Sequence, residues 1–73
     1  MPIINKAIYR DVFNLHEERA SALARCQDKD LTAYWEETTD MMIGVSAKHG
    51  QNLLCVELLV AVHADLERQA KRR

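Results

Sequence analysis

The sequence has very little of the residue types that interrupt, cross-link or anchor a chain. Of its 73 residues only two are Gly, one is Pro and two are Cys, which excludes a collagen-like chain and a disulfide scaffold. Its 10 Lys and Arg residues face 11 Asp and Glu residues, so bulk charge excludes a strongly basic nucleic-acid binder. No apolar run approaches the roughly 20 residues that span a bilayer. We therefore expect one small soluble domain with no membrane partner.

The two cysteines, Cys26 and Cys55, each fall within an apolar helical pattern, where a reduced thiol behaves as a small hydrophobe. The opening residues lead straight into charged residues, and they show no secretory signal pattern. These observations predict reduced thiols and a cytoplasmic location.

Apolar periodicity and its interruptions predict three helices, over about residues 4–26, 31–49 and 53–70 of a single domain spanning 1–73. Asp30 and Asn52 occupy N-cap positions, and Gly50 stands where a left-handed residue closes a helix. The connections are about three to five residues long, a length that joins antiparallel neighbours. The predicted fold is an all-α, antiparallel three-helix bundle.

Chain length favours self-association. A domain of about 60 residues buries only about 60% of its unfolded surface, so one of this size is marginally stable alone. Without disulfides, small domains often gain further burial by oligomerisation. We expect a homo-oligomer, and a dimer is favoured because twofold pairs are the commonest closed assembly.

The third helix carries more apolar surface than one core requires. Its main stripe runs through Leu54, Cys55, Leu58, Leu59, Val62 and Leu66. Leu53, Val56 and Val60 lie on the other side, which predicts an interface with another copy or with an unknown protein partner. Tyr9 and Phe13 of the first helix are possible additional anchors.

Arg19 interrupts the apolar face of the first helix between Leu15 and Leu23. A charge there must be paired, or its stem must carry it out to water at the edge of the bundle. If Arg19 is paired, Glu57 of the third helix is the first candidate for a structural ion pair.

The basic C-terminus offers an alternative function. Arg68, Lys71, Arg72 and Arg73 could contact phosphate in an accessory nucleic-acid-binding protein. No aromatic residues are interleaved with these charges, so the signal is weak and nucleic acid is not the expected partner.

A third alternative is a metal-dependent phosphohydrolase that uses the acidic face of the second helix, Glu36, Glu37 and Asp40. A second acidic set of matching spacing is missing, and a solvated face explains the same residues. The three histidines, His16, His49 and His63, have no metal-ligand spacing. We predict no catalytic, cofactor-binding or metal-binding residue, and no cofactor.

Three stretches carry a resemblance to known proteins: residues 7–16 (AIYRDVFNLH), residues 34–36 (YWE) and the segment from Leu58 to Val62 that continues into Leu66-Glu67-Arg68. In outline the chain resembles small helical proteins of bacterial phages and mobile elements, which have no assigned activity. The resemblance implies a bacterial, phage-related origin and assigns no residue a role. The sequence therefore predicts a small non-enzymatic interaction or regulatory module that self-associates through its apolar third helix.

Overall fold

The computed structural model describes residues 5–72, which form three α-helices. Helix α1 spans Lys6–Arg25, α2 spans Leu31–Lys48 and α3 spans Leu53–Lys71, with a 3₁₀ turn at Asp28–Asp30 ahead of α2. Over this range the regular secondary structure is entirely helical, and the three helices pack as a bundle around one core. The predicted start of the first helix at residue 4 lies outside the described residues.

The core lies chiefly between α1 and α3. Its buried cluster consists of Ile8, Val12, Leu15, Cys55, Leu59, Val62 and Leu66. These are the residues that recur at three- and four-residue steps, because that spacing keeps side chains on one face of a helix. Helix α2 contributes less, and its buried residues are Tyr34 and Thr38.

Half-buried side chains of α2 cover one side of this cluster. Trp35, Met41, Met42 and Val45 pack against it without being enclosed. The bundle is elongated, at 48 × 19 × 15 Å, and its radius of gyration is 13.0 Å, against about 11 Å for a compact domain of this length. A long, thin bundle leaves more apolar surface at its sides than a compact one.

The two connections differ in how they satisfy the backbone of the next helix. Asn52 caps α3 as predicted, since its Oδ1 accepts from the backbone N–H groups of Leu54 at 2.9 Å and Cys55 at 3.4 Å. Asp30 occupies the N-cap position of α2 as predicted, but its carboxylate makes no capping hydrogen bond. There the 3₁₀ turn leads directly into α2, and the Leu31 N–H donates to the carbonyl of Asp28 instead.

The turn between α2 and α3 uses left-handed backbone twice. Gly50 has a φ of 64°, as expected for a glycine that closes a helix. Gln51 follows with a φ of 56°, a conformation that non-glycine residues rarely adopt because Cβ crowds the backbone. The backbone N–H of Gln51 donates to the carbonyl of Ser46 at 2.8 Å, which ties the turn to the last part of α2.

Candidate interaction surface

An apolar groove of about 380 Å³ runs between α2 and α3. It is lined by Thr39, Met42, Ile43, Ser46, Val56, Leu59, Val60 and His63. The lining is almost entirely carbon, and its polar groups are two hydroxyls and one imidazole. Such a surface gains free energy mainly by being removed from water.

Large hydrophobic side chains stand exposed at and beside this groove. Val60 is 64% exposed and Ile43 is 62% exposed, while Val56 is 37% exposed. Leu53, one turn before Val56 on α3, is 72% exposed. We call Ile43, Leu53, Val56 and Val60, together with the groove, the α2–α3 apolar face.

The local sequence explains why α3 presents this face. Leu59 points into the core and is 5% exposed, whereas its neighbour Val60 faces outward. Consecutive apolar residues in a helix lie about 100° apart, so Leu58, Leu59 and Val60 cannot all reach one core. The apolar excess of the third helix is therefore surface in the folded chain.

Ile43 is a part of this face that the sequence pattern did not reveal. It stands between Met42 and Gly44 and off the main stripe of α2. The sequence feature that could have identified Ile43 is a large β-branched residue on the outer face of a helix.

The predicted interface residues do not form a single surface. Val56 and Val60 line the groove, and Leu53 extends their row along α3. Tyr9 and Phe13 are exposed on α1, at 55% and 61%, and neither lines the groove. The structure therefore separates an α2–α3 face from an aromatic pair on α1.

One end of the groove meets a cluster of rings. The His63 ring centroid lies 5.2 Å from that of Trp35, which in turn stacks edge-on against Tyr34 at 4.8 Å. Glu67, one turn after His63, places Oε1 3.4 Å from His63 Nδ1. The rings close the apolar lining on the side where α3 becomes polar.

A second groove of similar volume lies between α1 and α2, and its chemistry differs. Asp11, Asn14, Glu18 and Lys48 contribute polar groups to its lining. The Asp11 carboxylate is already bonded to Lys48 Nζ at 2.9 Å. An apolar partner would strip water from these charges, so the α2–α3 groove is the better candidate interface.

Arg19 is buried and paired, but its partner is not Glu57. Its Nη1 lies 2.9 Å from Glu37 Oε1 of α2, and it donates to Thr38 Oγ1 at 3.3 Å. The guanidinium carbon also lies 5.1 Å from the centroid of the Tyr34 ring. Glu57 is exposed on α3, so the predicted pairing of Arg19 with Glu57 is corrected to Glu37.

The Arg19 pair is unevenly solvated. Arg19 is 5% exposed, whereas the side chain of Glu37 is 66% exposed. Within the described residues, Arg19 Nε has no hydrogen-bond partner. Arg19 Nη2 also lies 3.9 Å from Oε1 of Glu18, whose side chain is 62% exposed. The guanidinium is therefore buried against two solvent-exposed carboxylates, and one of its donors is unsatisfied.

Two histidine–aspartate pairs join the helices, and neither was visible in the sequence. His49 Nε2 lies 2.7 Å from Asp11 Oδ2, which links the turn after α2 to α1. The pKa of Asp11 is lowered from 3.8 to about 2, mainly by the hydrogen bond from Lys48 and next by the hydrogen bond with His49. The residues are far apart in the chain, and no spacing rule connects them.

The second pair joins α1 to α3. His16 Nε2 lies 2.8 Å from Asp65 Oδ2. The same oxygen accepts from Gln69 Nε2 at 2.7 Å. The pKa of Asp65 is lowered, mainly by the hydrogen bond with His16 and next by the hydrogen bond from Gln69. Both carboxylates are therefore held in place between helices and serve packing.

The two cysteines are reduced thiols in different settings. Cys55 is fully buried. Its pKa is raised, mainly because burial removes the thiol from water and also because the negative charge of Asp11 is near. A buried thiol with a raised pKa is a poor nucleophile and metal ligand. Cys26 is half-buried at the end of α1.

The acidic side chains of α2 border the α2–α3 groove, because Thr39 lines both that groove and the one that holds Glu36 and Asp40. Glu36 and Asp40 line a shallow groove with Trp35 and Thr39. Within residues 5–72, no group of three His, Cys, Asp or Glu side chains is arranged to hold a metal ion.

The basic C-terminus lies at the end of α3. Lys71 and Arg72 are exposed, and Arg68 Nη2 lies 3.5 Å from Asp65 Oδ1. Arg73, the fourth predicted phosphate contact, lies outside the described residues. The three described cations lie at the opposite end of α3 from Leu53.

Comparison with known proteins gives no match: no protein-family model, no curated protein and no solved structure is similar to this chain. Over the described part of the chain, none of the helices combines the length and the apolar character needed to cross a bilayer.

Proposed function

We propose that this chain is a small non-enzymatic interaction module that pairs with a second copy of itself through the α2–α3 apolar face. The observation that carries the proposal is the clustering of Ile43, Val56 and Val60 at one apolar groove. Exposed apolar side chains clustered in this way usually mark an interaction site.

The size of the core supports a second copy as the occupant. Among residues 5–72, six large hydrophobic side chains are exposed, against nine hydrophobic residues that are buried. In a chain of this length such a ratio leaves the monomer short of apolar burial. Pairing would remove the most exposed members of α3 from water.

The shape of the face also suits a twofold pair. Val60 and Ile43 protrude at the rim, while Met42 and Leu59 lie deeper in the lining. A twofold interface requires one patch that offers both ridge and groove to its own copy. A stable interface buries about 800 Å² per partner, which is a modest part of the 5208 Å² that the chain exposes.

In the proposed pair, the helices of each copy run antiparallel to their neighbours, and α2 and α3 of both copies form a four-helix layer. A regulatory role in a phage or mobile element, in a bacterial cytoplasm, is a further proposal that rests on the sequence resemblance alone. Neither role requires a cofactor.

The test is the molar mass in solution of two variants that carry the same added charge on α3. Val60→Glu places a carboxylate at the groove, and Ala61→Glu places one on the next residue, which is exposed and does not line the groove. We expect Val60→Glu to be monomeric and Ala61→Glu to keep the mass of the native chain. Equal masses for the two variants would contradict the assignment of the interface.

A further inference from the structure

The outer face of α1 carries a short row in which cations alternate with aromatic rings. The row consists of four residues at steps of three, one and three positions: Lys6, Tyr9, Arg10 and Phe13. Residues spaced in this way share one side of a helix. This row, which we call the α1 stripe, is separate from the α2–α3 apolar face.

The rings of the α1 stripe are open to solvent. Tyr9 is 55% exposed and Phe13 is 61% exposed. They stand four residues apart, which is about 6 Å along the helix axis. Two faces or edges of aromatic rings are thus offered at a separation that allows one flat ligand group on each ring.

The cations of the stripe are also available. The side chain of Arg10 is 63% exposed and makes one long bond, from Nε to Asp11 Oδ1 at 3.4 Å. Asp11 is committed to Lys48 and His49 at shorter distances. Lys6 is exposed and, within residues 5–72, makes no ion pair.

We propose that the α1 stripe binds single-stranded nucleic acid, with bases stacked on Tyr9 and Phe13 and phosphates held by Lys6 and Arg10. Every base has a face that can stack on an aromatic ring, and cations beside the rings hold the strand. The occupant should be both anionic and flat, because cations alternate with the rings along the row: Lys6 precedes Tyr9, and Arg10 stands between Tyr9 and Phe13. An apolar protein helix would cover Lys6 and Arg10 without pairing them.

The charge of the whole chain limits what the stripe can bind. A net charge of −1 argues against a protein that wraps a duplex. Glu17 follows Phe13 by one turn and ends the run of positive and neutral side chains. The footprint is therefore short, with two stacked bases on each copy of the chain.

The experiment is a titration of the full chain into a fluorescent single-stranded thymidine 12-mer, followed by anisotropy at low salt. Neutralising two phosphates predicts a slope of about −1.4 for log K against log salt. Replacing Lys6 or Arg10 by Ala reduces that slope by about 0.7 each. The duplex of the same sequence is expected to bind more weakly, since its bases are not free to stack.

Variants of the rings separate stacking from general apolar contact. Phe13→Ala is expected to weaken binding about 5- to 150-fold, the range for loss of one base–aromatic stack. Phe13→Leu keeps apolar bulk without a ring and should lose nearly as much. Val60→Ala, which removes apolar surface on α3, is the matched control and should bind like the native chain.

Three results would overturn the proposal. The first is no binding of the 12-mer at low salt, and the second is binding that Phe13→Ala and Phe13→Leu leave unchanged. The third is binding that disappears only when Arg68, Lys71 and Arg72 are replaced together, because it would place the phosphate contacts at the end of α3. Helical circular dichroism of each variant shows that the fold is retained, and the monomeric Val60→Glu variant should bind too, since the stripe does not depend on self-association.

Discussion

Replacing Arg19 by Met should leave the protein at least as stable as the native chain, although it removes a buried charge from the core face of α1. Arg19 is 5% exposed, and its Nε has no partner among the described residues. Met keeps the length of the aliphatic stem and carries no charge. The substitution therefore removes polar interactions while it preserves packing.

The interactions that Arg19→Met removes are weak. Glu37 is 66% exposed, so its pairing with Arg19 contributes about 0–1 kcal/mol. The bond to Thr38 is long, at 3.3 Å, and contributes about 1 kcal/mol or less. Glu18 is also exposed and lies farther away, at 3.9 Å, so its contact adds little. Because Arg19 and Tyr34 are both buried, the contact with the Tyr34 ring at 5.1 Å adds about 1–2 kcal/mol. Together these interactions stabilise the fold by about 2–3 kcal/mol.

The costs relieved are of the same size or larger. An unsatisfied buried donor costs about 1–3 kcal/mol, and burying the guanidinium carries a further desolvation penalty. Neighbouring polar groups keep partners after the change, because the Thr38 hydroxyl donates to the Tyr34 carbonyl at 2.7 Å and the Tyr34 hydroxyl donates to the Arg19 carbonyl at 2.8 Å. Arg19→Met should therefore lie between no change and about 1 kcal/mol of added stability.

Urea denaturation followed by circular dichroism, at one fixed protein concentration, measures the effect. Arg19→Ala is the comparison, because it removes the stem as well as the charge. Truncating a long buried side chain to Ala costs about 2–5 kcal/mol, so this variant should unfold well before Arg19→Met. Glu37→Gln should change the free energy of unfolding by less than about 1 kcal/mol, since the carboxylate is exposed. A loss of more than about 2 kcal/mol in Arg19→Met would refute the reasoning, because the buried pair would then stabilise the fold outright.

Three further predictions concern pH, one glycine and one cap. The folded-state pKa of Asp11 is lowered to about 2, so its contribution to stability is present above about pH 4 and is lost as the pH falls towards 2; acid titration of Asp11→Asn should show a flatter decline over that range than the native chain. Gly44→Ala should stabilise α2 by about 0.5–1 kcal/mol in a thermal melt, because a Cβ there meets nothing within 4 Å, and a lowered melting temperature would count against it. Asn52→Ala should lower the free energy of unfolding by about 1 kcal/mol in the same melt, because α3 loses its cap. Asp30→Ala should lower it by less, because Asp30 makes no capping bond. Equal losses for the two variants would contradict this interpretation of the two helix starts.

The sequence predicted the helices and one of their caps because these depend on local spacing. Apolar residues at three- and four-residue steps place Val12 and Leu15 on the core face whatever they pack against. Asn52 acts on N–H groups two and three residues ahead, and Gly50 relieves a clash within its own residue. Such features need no knowledge of the other helices.

Partner choices across helices could not be predicted in the same way. Arg19 could be recognised as a charge needing a partner, but the sequence pointed to Glu57 and gave no reason to select Glu37 from the acidic face of the second helix. Its partner depends on which helix lies beside that side of α1. The pairs His16–Asp65 and Asp11–His49 depend on the relative positions of the helices in the same way.

The exposed apolar residues of α3 could be predicted in part. The excess of apolar residues was visible in the sequence, and the structure places Val56 and Val60 at a groove. The contribution of Ile43 required the fold, because only the packing of α2 on α3 brings it to the same groove. Periodicity identifies a surplus of apolar surface, and tertiary structure shows where that surplus is collected.

Self-association through the α2–α3 apolar face is tested most directly by light-scattering molar mass over a hundredfold dilution, with the native chain beside Val60→Glu. The chain mass is 8.4 kDa. We expect the native chain to show twice the single-chain mass at high concentration, and this measured mass should fall towards the single-chain mass on dilution. Val60→Glu should show the single-chain mass at every concentration. A native chain that is monomeric at every concentration would contradict the account, and so would a dimer that Val60→Glu leaves intact.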